Sequence, residues 1–595
     1  MAAQSDENKR SPLKAWVRAL ERTAPIERHP ALTLPLLIGQ LAGRFGDAPA
    51  LSSSNATLTY RTLAQAVNRY ARWGLAQDLG PGDVVCLVME NCPDYLAIWL
   101  GLSQVGVSVA LINTNLTGEA LAHCVNTVRP RYVLSGAPFA AAVEAVRPQL
   151  ASEVRCLVSG AAAGGARPQD LESAACSGEP LPEASYRRPL LRDRALCIYT
   201  SGTTGLPKAA NVSHYRLMQW SHWFAGLMDV TPADRMYNCL PMYHSVGGVV
   251  ATGATLVGGG TVVLRERFSA SGFWQDVTQE RCTLFQYIGE LCRYLLNSPP
   301  QAAEARHQLR LVCGNGLRGD VWVPFQARFR IPQILEYYAA TEGNFSLYNC
   351  EGRAGAIGRI PPFLAHRLPV AVVRFDTTTG LPVRDAAGRC LRCEPDEAGE
   401  AIGQILGSEG VSRFEGYTDP EASTGKVLRD VFAPGDAWYR TGDLMRRDVQ
   451  GFFYFVDRIG DTFRWKGENV STAEVAGVIG ACPGVRDVAV YGVAVPHADG
   501  RAGMAALVID ADFSLANLRA ALAALPAYAR PVFLRILESI EITGTFKLRK
   551  QELLAQGYDP ARVSDALLVE DPARQSYVPL DAALHASLVA GRLRL

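Results

Sequence analysis

The stretch 200–208 concentrates the chain's most specific chemistry: Thr200, Ser201, Gly202, Thr203, Thr204 and Gly205 run without a break, and Lys208 follows past Leu206 and Pro207. Glycines let a backbone bend until its N–H groups converge on phosphate oxygens, hydroxyls add donors, and a lysine supplies positive charge. The apolar, strand-like Leu196, Cys197, Ile198 and Tyr199 lead straight into it. A flexible surface linker is the bland alternative, but linkers rarely combine clustered hydroxyls, glycines and a lysine directly after an apolar strand. The pattern reads as a polyphosphate cradle. It is not the common nucleotide P-loop, which needs Gly, Lys and Ser or Thr adjacent, whereas Leu206 and Pro207 part Gly205 from Lys208.

A second glycine motif competes with it. Gly314, Asn315, Gly316, Leu317, Arg318 and Gly319 fit the dinucleotide pattern GxGxxG, and Glu336 stands at a plausible distance for a ribose contact, which keeps a dehydrogenase in view. Pro324, placed where the first turns of a phosphate-facing helix belong, speaks against that reading. Further on stand Glu342 in the run 337–343, Asp443 directly after Gly442, and Lys547 clustered with Arg549 and Lys550. Taken singly, these would be a turn acid, a turn aspartate and a solvated lysine.

Taken in order, the motifs resemble those of the AMP-forming adenylating enzymes: acyl-CoA synthetases, luciferases and peptide-synthetase adenylation domains. The resemblance runs from about Thr33 to the C-terminus. It is nearest to the fatty-acid transport protein, or very-long-chain acyl-CoA synthetase, branch, through the stretches 91–102, 110–116, 338–344, 414–419 and 457–471. It implies that the 200–208 loop holds the β- and γ-phosphates of ATP and that Gly314, Asn315 and Gly316 line the adenine pocket. Tyr338 would stack on adenine, with Thr341 beside it, and Glu342 with Thr200 would hold Mg²⁺. Asp443 would accept hydrogen bonds from the ribose hydroxyls, and Arg458 would contact ribose and phosphate. His244 would line the acyl site. By the same resemblance Lys466, Gly467 and Glu468 would belong to a loop that swings to coenzyme A about a hinge at Gly460, where many members carry Asp or Lys. Lys547 would bridge the attacking carboxylate and the α-phosphate, so the catalytic set is Lys547, Glu342, Lys208 and Thr200. The implied activity is an AMP-forming ligation of long-chain or very-long-chain fatty acids to coenzyme A, with coupling to uptake as an extension. Bile-acid or carnitine CoA ligases, and a fatty-acid transporter with little ligase activity, are the alternatives.

Elements able to position such residues are visible in the periodicity. Helix-like segments alternate with short Val/Ile/Leu runs such as 84–89, 107–112, 261–264 and 309–313, which indicates an α/β chain with mixed or largely parallel sheets. At 595 residues and 48% hydrophobic, the chain is expected to form more than one domain. The expected division is an N-terminal extension over 1–32, a large adenylation domain over 33–457, and a smaller mobile α+β domain over 458–595.

Lys plus Arg number 59 against 58 Asp plus Glu, so no global basic field exists to gather nucleic acid. The 14 cysteines are scattered through apolar stretches and suggest a reducing, cytoplasmic setting; Cys390 and Cys393 lack a second ligand pair and read as a loop coincidence. Residues 245–264 carry no charge and are long enough to span a bilayer, but Gly258, Gly259 and Gly260 divide them into a helix-like and a strand-like half. No transmembrane span is expected. Leu13, Trp16, Val17 and Leu20 fall on one face of a helix that also carries Lys14, Arg18 and Arg22. Such a helix either lies in the headgroup layer on the inner face of a membrane or docks on its own protein, and docking is the expectation.

Overall fold

The computed structural model describes residues 12–159, 177–200, 206–377, 379–407, 414–466, 468–498, 500–541, 550–571 and 574–592. The chain forms two compact units, one from Met1–Gly358 and Ile405–Val427, the other from Arg359–Gln404 and Leu428–Leu595.

Two sheets organise the first unit. An eight-stranded sheet runs, in spatial order, Ser346–Asn349, Ile334–Ala339, Leu311–Asn315, Leu284–Ile288, Arg235–Asn238, Thr261–Leu264, Pro49–Ser52 and Thr57–Thr59. Its six inner strands are parallel and its two edge pairs antiparallel. A six-stranded sheet runs Arg155–Ser159, Tyr132–Gly136, Val84–Val88, Ser108–Leu111, Arg194–Thr200 and Lys208–Ser213, parallel except for the last pair. Strands such as Val84–Val88 are buried throughout, as expected where both faces of a parallel sheet are covered. The expected α/β class with mixed and parallel sheets is therefore what forms.

The uncharged run 245–264 is a buried π-helical turn, Val246–Ala251, continuing as the helix Thr252–Val257, then a glycine turn and the strand Thr261–Leu264. Among the described residues no helix is long and apolar enough to cross a membrane. The amphipathic helix Pro12–Thr23 docks on its own protein, as expected, but through Ala15, Trp16 and Ala19, whereas Leu13 and Val17 of the expected face are exposed. Trp16 is buried with its ring edge-on to Trp223 and Tyr348, and Gly226 of the helix His214–Leu227 lies so near Ala19 that a Cβ there would come within 2.5 Å of the Ala19 Cα. Arg18 donates to Gly226 O at 3.1 Å and pairs with Asp229 at 3.3 Å, so its charge serves the docking.

In the second unit the long strand Ala437–Arg447 pairs antiparallel with Gly399–Gln404 on one side and Phe453–Arg458 on the other. A five-stranded mixed sheet, Val485–Ala494, Arg501–Ile509, Phe533–Leu537, Ala566–Asp571 and Ser576–Pro579, carries the core of the C-terminal part, with Val475, Ile479, Leu518 and Leu522 packed from the helices Thr472–Gly480 and Leu515–Leu522.

Candidate functional site

The residues of the 200–208 motif are framed by two paired strands. Arg194–Thr200 and Lys208–Ser213 pair antiparallel with Thr200 directly opposite Lys208, so the strands bring the first hydroxyl and the lysine of the motif side by side. Ser201, Gly202, Thr203, Thr204 and Gly205 lie outside the described residues, as do Gly467 and Lys547.

Residues 416–418 lie along the outer strand of this pair. Asn211 N donates to Gly416 O at 3.0 Å and Thr418 N to Ala209 O at 2.8 Å, with a bridge between Ala210 and Tyr417. This places the Tyr417 ring 5.8 Å from Lys208 Nζ. The Tyr417 hydroxyl donates to Glu342 Oε1 at 2.8 Å and accepts from the Thr200 hydroxyl. Burial, and after it the Glu342 carboxylate, holds the phenol well above its ordinary pKa, so it remains a donor. Thr200, Tyr417 and Glu342 thus form one chain of oxygens beside Lys208. Tyr417 was not among the site residues expected from sequence, where it belongs only to the stretch 414–419; its role comes from a contact across more than two hundred residues.

A second layer fixes the loop that carries Glu342. Glu415 accepts from Ser213 N at 2.8 Å and Ser213 Oγ at 2.5 Å, and Arg216 Nε lies 3.8 Å from the same carboxylate. Arg216 Nη1 then donates to Thr341 O at 2.6 Å. Thr341 Oγ1 is 3.3 Å from Ser245 Oγ, which brings the His244 loop to the same place. That loop is pinned from the other side by buried Asn91, whose amide donates to Leu240 O and Arg265 O and accepts from Met242 N. His244 itself is half-buried, its ring 4.6 Å from that of Tyr243.

Gly314 and Asn315 end the strand Leu311–Asn315, and Gly316 turns away from it with φ +79°. Half-buried Tyr338 stands on the neighbouring parallel strand, edge-on to Phe345 at 5.5 Å. Both strands present their C-terminal ends here, the usual place for a ligand in a parallel sheet. The dinucleotide alternative, which Pro324 already opposed, fails at this point. Glu336, its ribose ligand, is buried, and its carboxyl accepts from the Gly316 and Leu317 N–H groups and is hydrogen-bonded to the Tyr287 hydroxyl. The turn's own amides are thereby consumed, and Pro324 sits inside the helix Gly319–Phe329.

In the second unit Asp443 and Arg458 are register partners on paired strands, with Asp443 buried and Arg458 Nε 3.6 Å from its Oδ1. Arg440, in the same motif, is committed to the fully buried Glu400 through hydrogen bonds of 2.7–3.1 Å. Asp457 receives Arg458 N, Thr472 N and Thr472 Oγ1, while Lys550 donates to Asp461 at 3.1 Å and to Thr472 Oγ1 at 3.3 Å. Gly460 between them has φ +102° with open space where a Cβ would be, so conformation and not crowding demands the glycine. Lys466 and Glu468 are exposed around the turn of the hairpin Phe463–Trp465 and Glu468–Val470.

Magnesium suits the first of these arrangements: Mg²⁺ takes hard oxygen donors and usually one or two protein ligands plus substrate phosphates. Glu342 and Thr200, joined through Tyr417, offer a carboxylate and a hydroxyl of that kind.

The chain is 41% identical over 577 residues to long-chain fatty acid transport protein 1 of Mus musculus, an alignment covering 95% of this chain and 88% of that protein. It is 37% identical over 558 residues to a medium/long-chain-fatty-acid CoA ligase, FadD6, of Mycobacterium tuberculosis, covering 93% and 90%. The crystal structure of ATP-bound MatB from Rhodopseudomonas palustris superposes with a TM-score of 0.72 at 23% identity, over 88% of this chain and 99% of that one. The AMP-binding enzyme family matches residues 40–406 and the AMP-binding enzyme C-terminal domain residues 474–547. Matched by these family models and aligned over most of its length with these relatives, the chain belongs to the AMP-binding enzyme family.

Proposed function

We propose that this chain is an AMP-forming fatty acid:CoA ligase that joins a long-chain or very-long-chain acid to coenzyme A through an acyl-AMP intermediate. The observation that carries the proposal is the Thr200–Tyr417–Glu342 oxygen chain beside Lys208, a cation and a hard-oxygen donor set placed at a hydroxyl-rich loop. The fatty acyl part is supported by the names of the relatives.

In this reading the residues between Thr200 and Lys208, with Lys208 itself, bind the outer phosphates of ATP and hold the α-phosphate toward the acyl carboxylate. Glu342 and Thr200 would hold magnesium, which would supply charge dispersal for the leaving pyrophosphate. Tyr417 keeps the Glu342 carboxylate aimed by donating to it. Asp443 accepts from the ribose hydroxyls and Arg458 contacts ribose and phosphate. Lys547 offsets the charge that builds as carboxylate oxygen attacks the α-phosphorus and pyrophosphate departs. The thiolate of coenzyme A then displaces AMP from the acyl carbon, with residues from Arg458 onward turning about Gly460 to present Lys466, Gly467 and Glu468 to the thiol substrate.

The test is pyrophosphate and AMP release across carboxylic acids of graded chain length, with and without coenzyme A. Release that rises with chain length, and acyl-CoA formed in proportion, supports the proposal. Turnover confined to short polar acids would overturn the fatty-acid assignment, and turnover with bile acids or carnitine-like acids would move it to another bulky carboxylate.

A further inference from the structure

Glu336 is a buried acid to which the reaction outlined above gives no task. Tyr287, Gly314 and Glu336 occupy directly paired positions on three adjacent parallel strands, so they share one face of the sheet. Gly314 leaves the middle position without a side chain. A Cβ there would lie 2.5 Å from Tyr287 Cδ2 and 2.3 Å from Tyr287 O, which no real side chain tolerates. The Tyr287 ring fills that gap, and its hydroxyl is hydrogen-bonded to Glu336 Oε2. On the other side of the carboxyl, Oε1 accepts from Leu317 N at 3.1 Å, and Gly316 N–H also donates to the group. The turn is braced from beyond as well: Gly316 O rests where a Cβ on Gly289 would be 1.8 Å away.

We infer that Glu336 is a positioning residue for nucleotide binding: by clasping the Gly316 and Leu317 amides to the Tyr287 hydroxyl, it sets the placement of the Gly314–Gly316 turn against which the adenine base rests. The inference depends on the adenylating reading proposed above. A buried acid that merely satisfies neighbouring polar groups is the bland competitor, and it predicts lost stability with no selective loss of nucleotide affinity. Burial pushes the Glu336 carboxyl up to about 8, so near neutral pH it is largely protonated. With Oε1 accepting from the Leu317 amide the proton sits on Oε2, the bond to Tyr287 then runs from Glu336 to the phenol oxygen, and an amide N–H can take over that donor role.

The experiment compares full-length wild type with Glu336→Ala, Glu336→Gln and the milder Tyr287→Phe. Steady-state pyrophosphate release gives KM for ATP and kcat, and amide hydrogen exchange reads residues 314–319 directly. Glu336→Ala is expected to raise the ATP KM ~10-fold or more, with kcat at saturating ATP changed less than ~3-fold. Glu336→Gln should return KM to within ~3-fold of wild type, Tyr287→Phe should raise it ~2- to 5-fold, and exchange at Gly316 and Leu317 should accelerate ~10-fold in the alanine variant. Accelerated exchange with an unchanged ATP KM would overturn the positioning role while leaving the ligase reading intact. Glutamine as damaging as alanine would overturn the neutral clasp. Should the alanine variant fail to fold, an unaltered ATP KM in Tyr287→Phe with faster exchange overturns the role equally. Absence of ATP-dependent turnover in the wild-type chain is the separate result that would remove the ligase reading and the nucleotide role together.

Discussion

Asp443 and Arg458 face each other across two antiparallel strands, with Arg458 Nε 3.6 Å from Asp443 Oδ1 and the aspartate far more buried than the arginine, at 10% against 39% side-chain exposure. A pair this open at one end adds only ~0–1 kcal/mol to stability. Its arrangement instead leaves a partly desolvated carboxylate held in place by a cation. Replacing Asp443 by Ala should therefore change the melting temperature little, yet raise the ATP KM ~10- to 100-fold, the scale of losing hydrogen bonds from two hydroxyls to a charged acceptor. Calorimetry and steady-state kinetics on the same preparation separate the two effects; a large stability loss with unchanged KM would make the pair structural.

Tyr417→Phe removes the phenolic hydrogen bond to Glu342 and keeps the ring beside Lys208. A hydrogen bond to a charged group is worth ~1.5–3 kcal/mol, so turnover at fixed magnesium should fall ~10- to 100-fold. The Mg²⁺ concentration for half-maximal activity should rise with it. A variant whose magnesium titration overlays the wild type would remove Tyr417 from the site.

Lys547→Ala should slow acyl-AMP formation by ~10²- to 10³-fold, as for loss of one charge stabiliser in a transition state. Thioester formation from supplied acyl-AMP should suffer much less. Equal losses in the two half-reactions, measured by rapid quench, would sink the assignment.

Local patterns were readable because they depend on near neighbours in sequence. The strand entering the 200–208 loop and the helix, glycine turn and strand within 245–264 follow from periodicity and glycine placement, and the helix Pro12–Thr23 from its apolar stripe, although its docked face is Ala15, Trp16 and Ala19 rather than the stripe's Leu13 and Val17. Long-range pairing hid the rest. Tyr417 reaches Glu342 only because residues 416–418 lie along Lys208–Ser213, and Glu415 supports Ser213 and Arg216 by the same route. Glu336 misled for a related reason: spacing after a glycine motif says nothing about whether a carboxylate faces a ligand or its own turn. Nor did composition show that Arg359–Gln404 would join a unit otherwise built from residues after 427.

Trp16→Ala should undock the N-terminal helix. Trp16 is 1% exposed and packs edge-on to Trp223 and Tyr348, and truncating such a residue costs ~3–5 kcal/mol of local packing. Limited proteolysis should cut near residues 12–24 in the variant while wild type resists. Identical digestion kinetics would show that the remaining contacts, Ala15, Ala19 and the polar bonds of Arg18, suffice to hold the helix.

Stability should also depend on pH through Glu336. Its ordinary value is 4.5 and burial raises it to about 8, while Tyr287, Cys292, Cys313 and Tyr337 around it are likewise pushed upward and stay neutral. A carboxyl raised in the folded state holds its proton more tightly there than in the unfolded chain. Its contribution is complete below about 4.5 and is lost as pH climbs toward about 8. Glu336→Gln should flatten the fall in denaturation midpoint between these limits, and a fall of wild-type steepness in that variant would assign the dependence to another group.

The missing side chain at Gly314 bears on how this protein could be re-engineered. The Tyr287 ring occupies the space that any substituent there would need, so libraries that vary residues 314–316 alone in search of altered base preference should return almost nothing at the first of the three positions. Exchanging the ring at residue 287 would not open the position, because the backbone carbonyl oxygen of that residue lies 2.3 Å from the same Cβ. Diversification is better spent on the residues around 314 than on 314 itself.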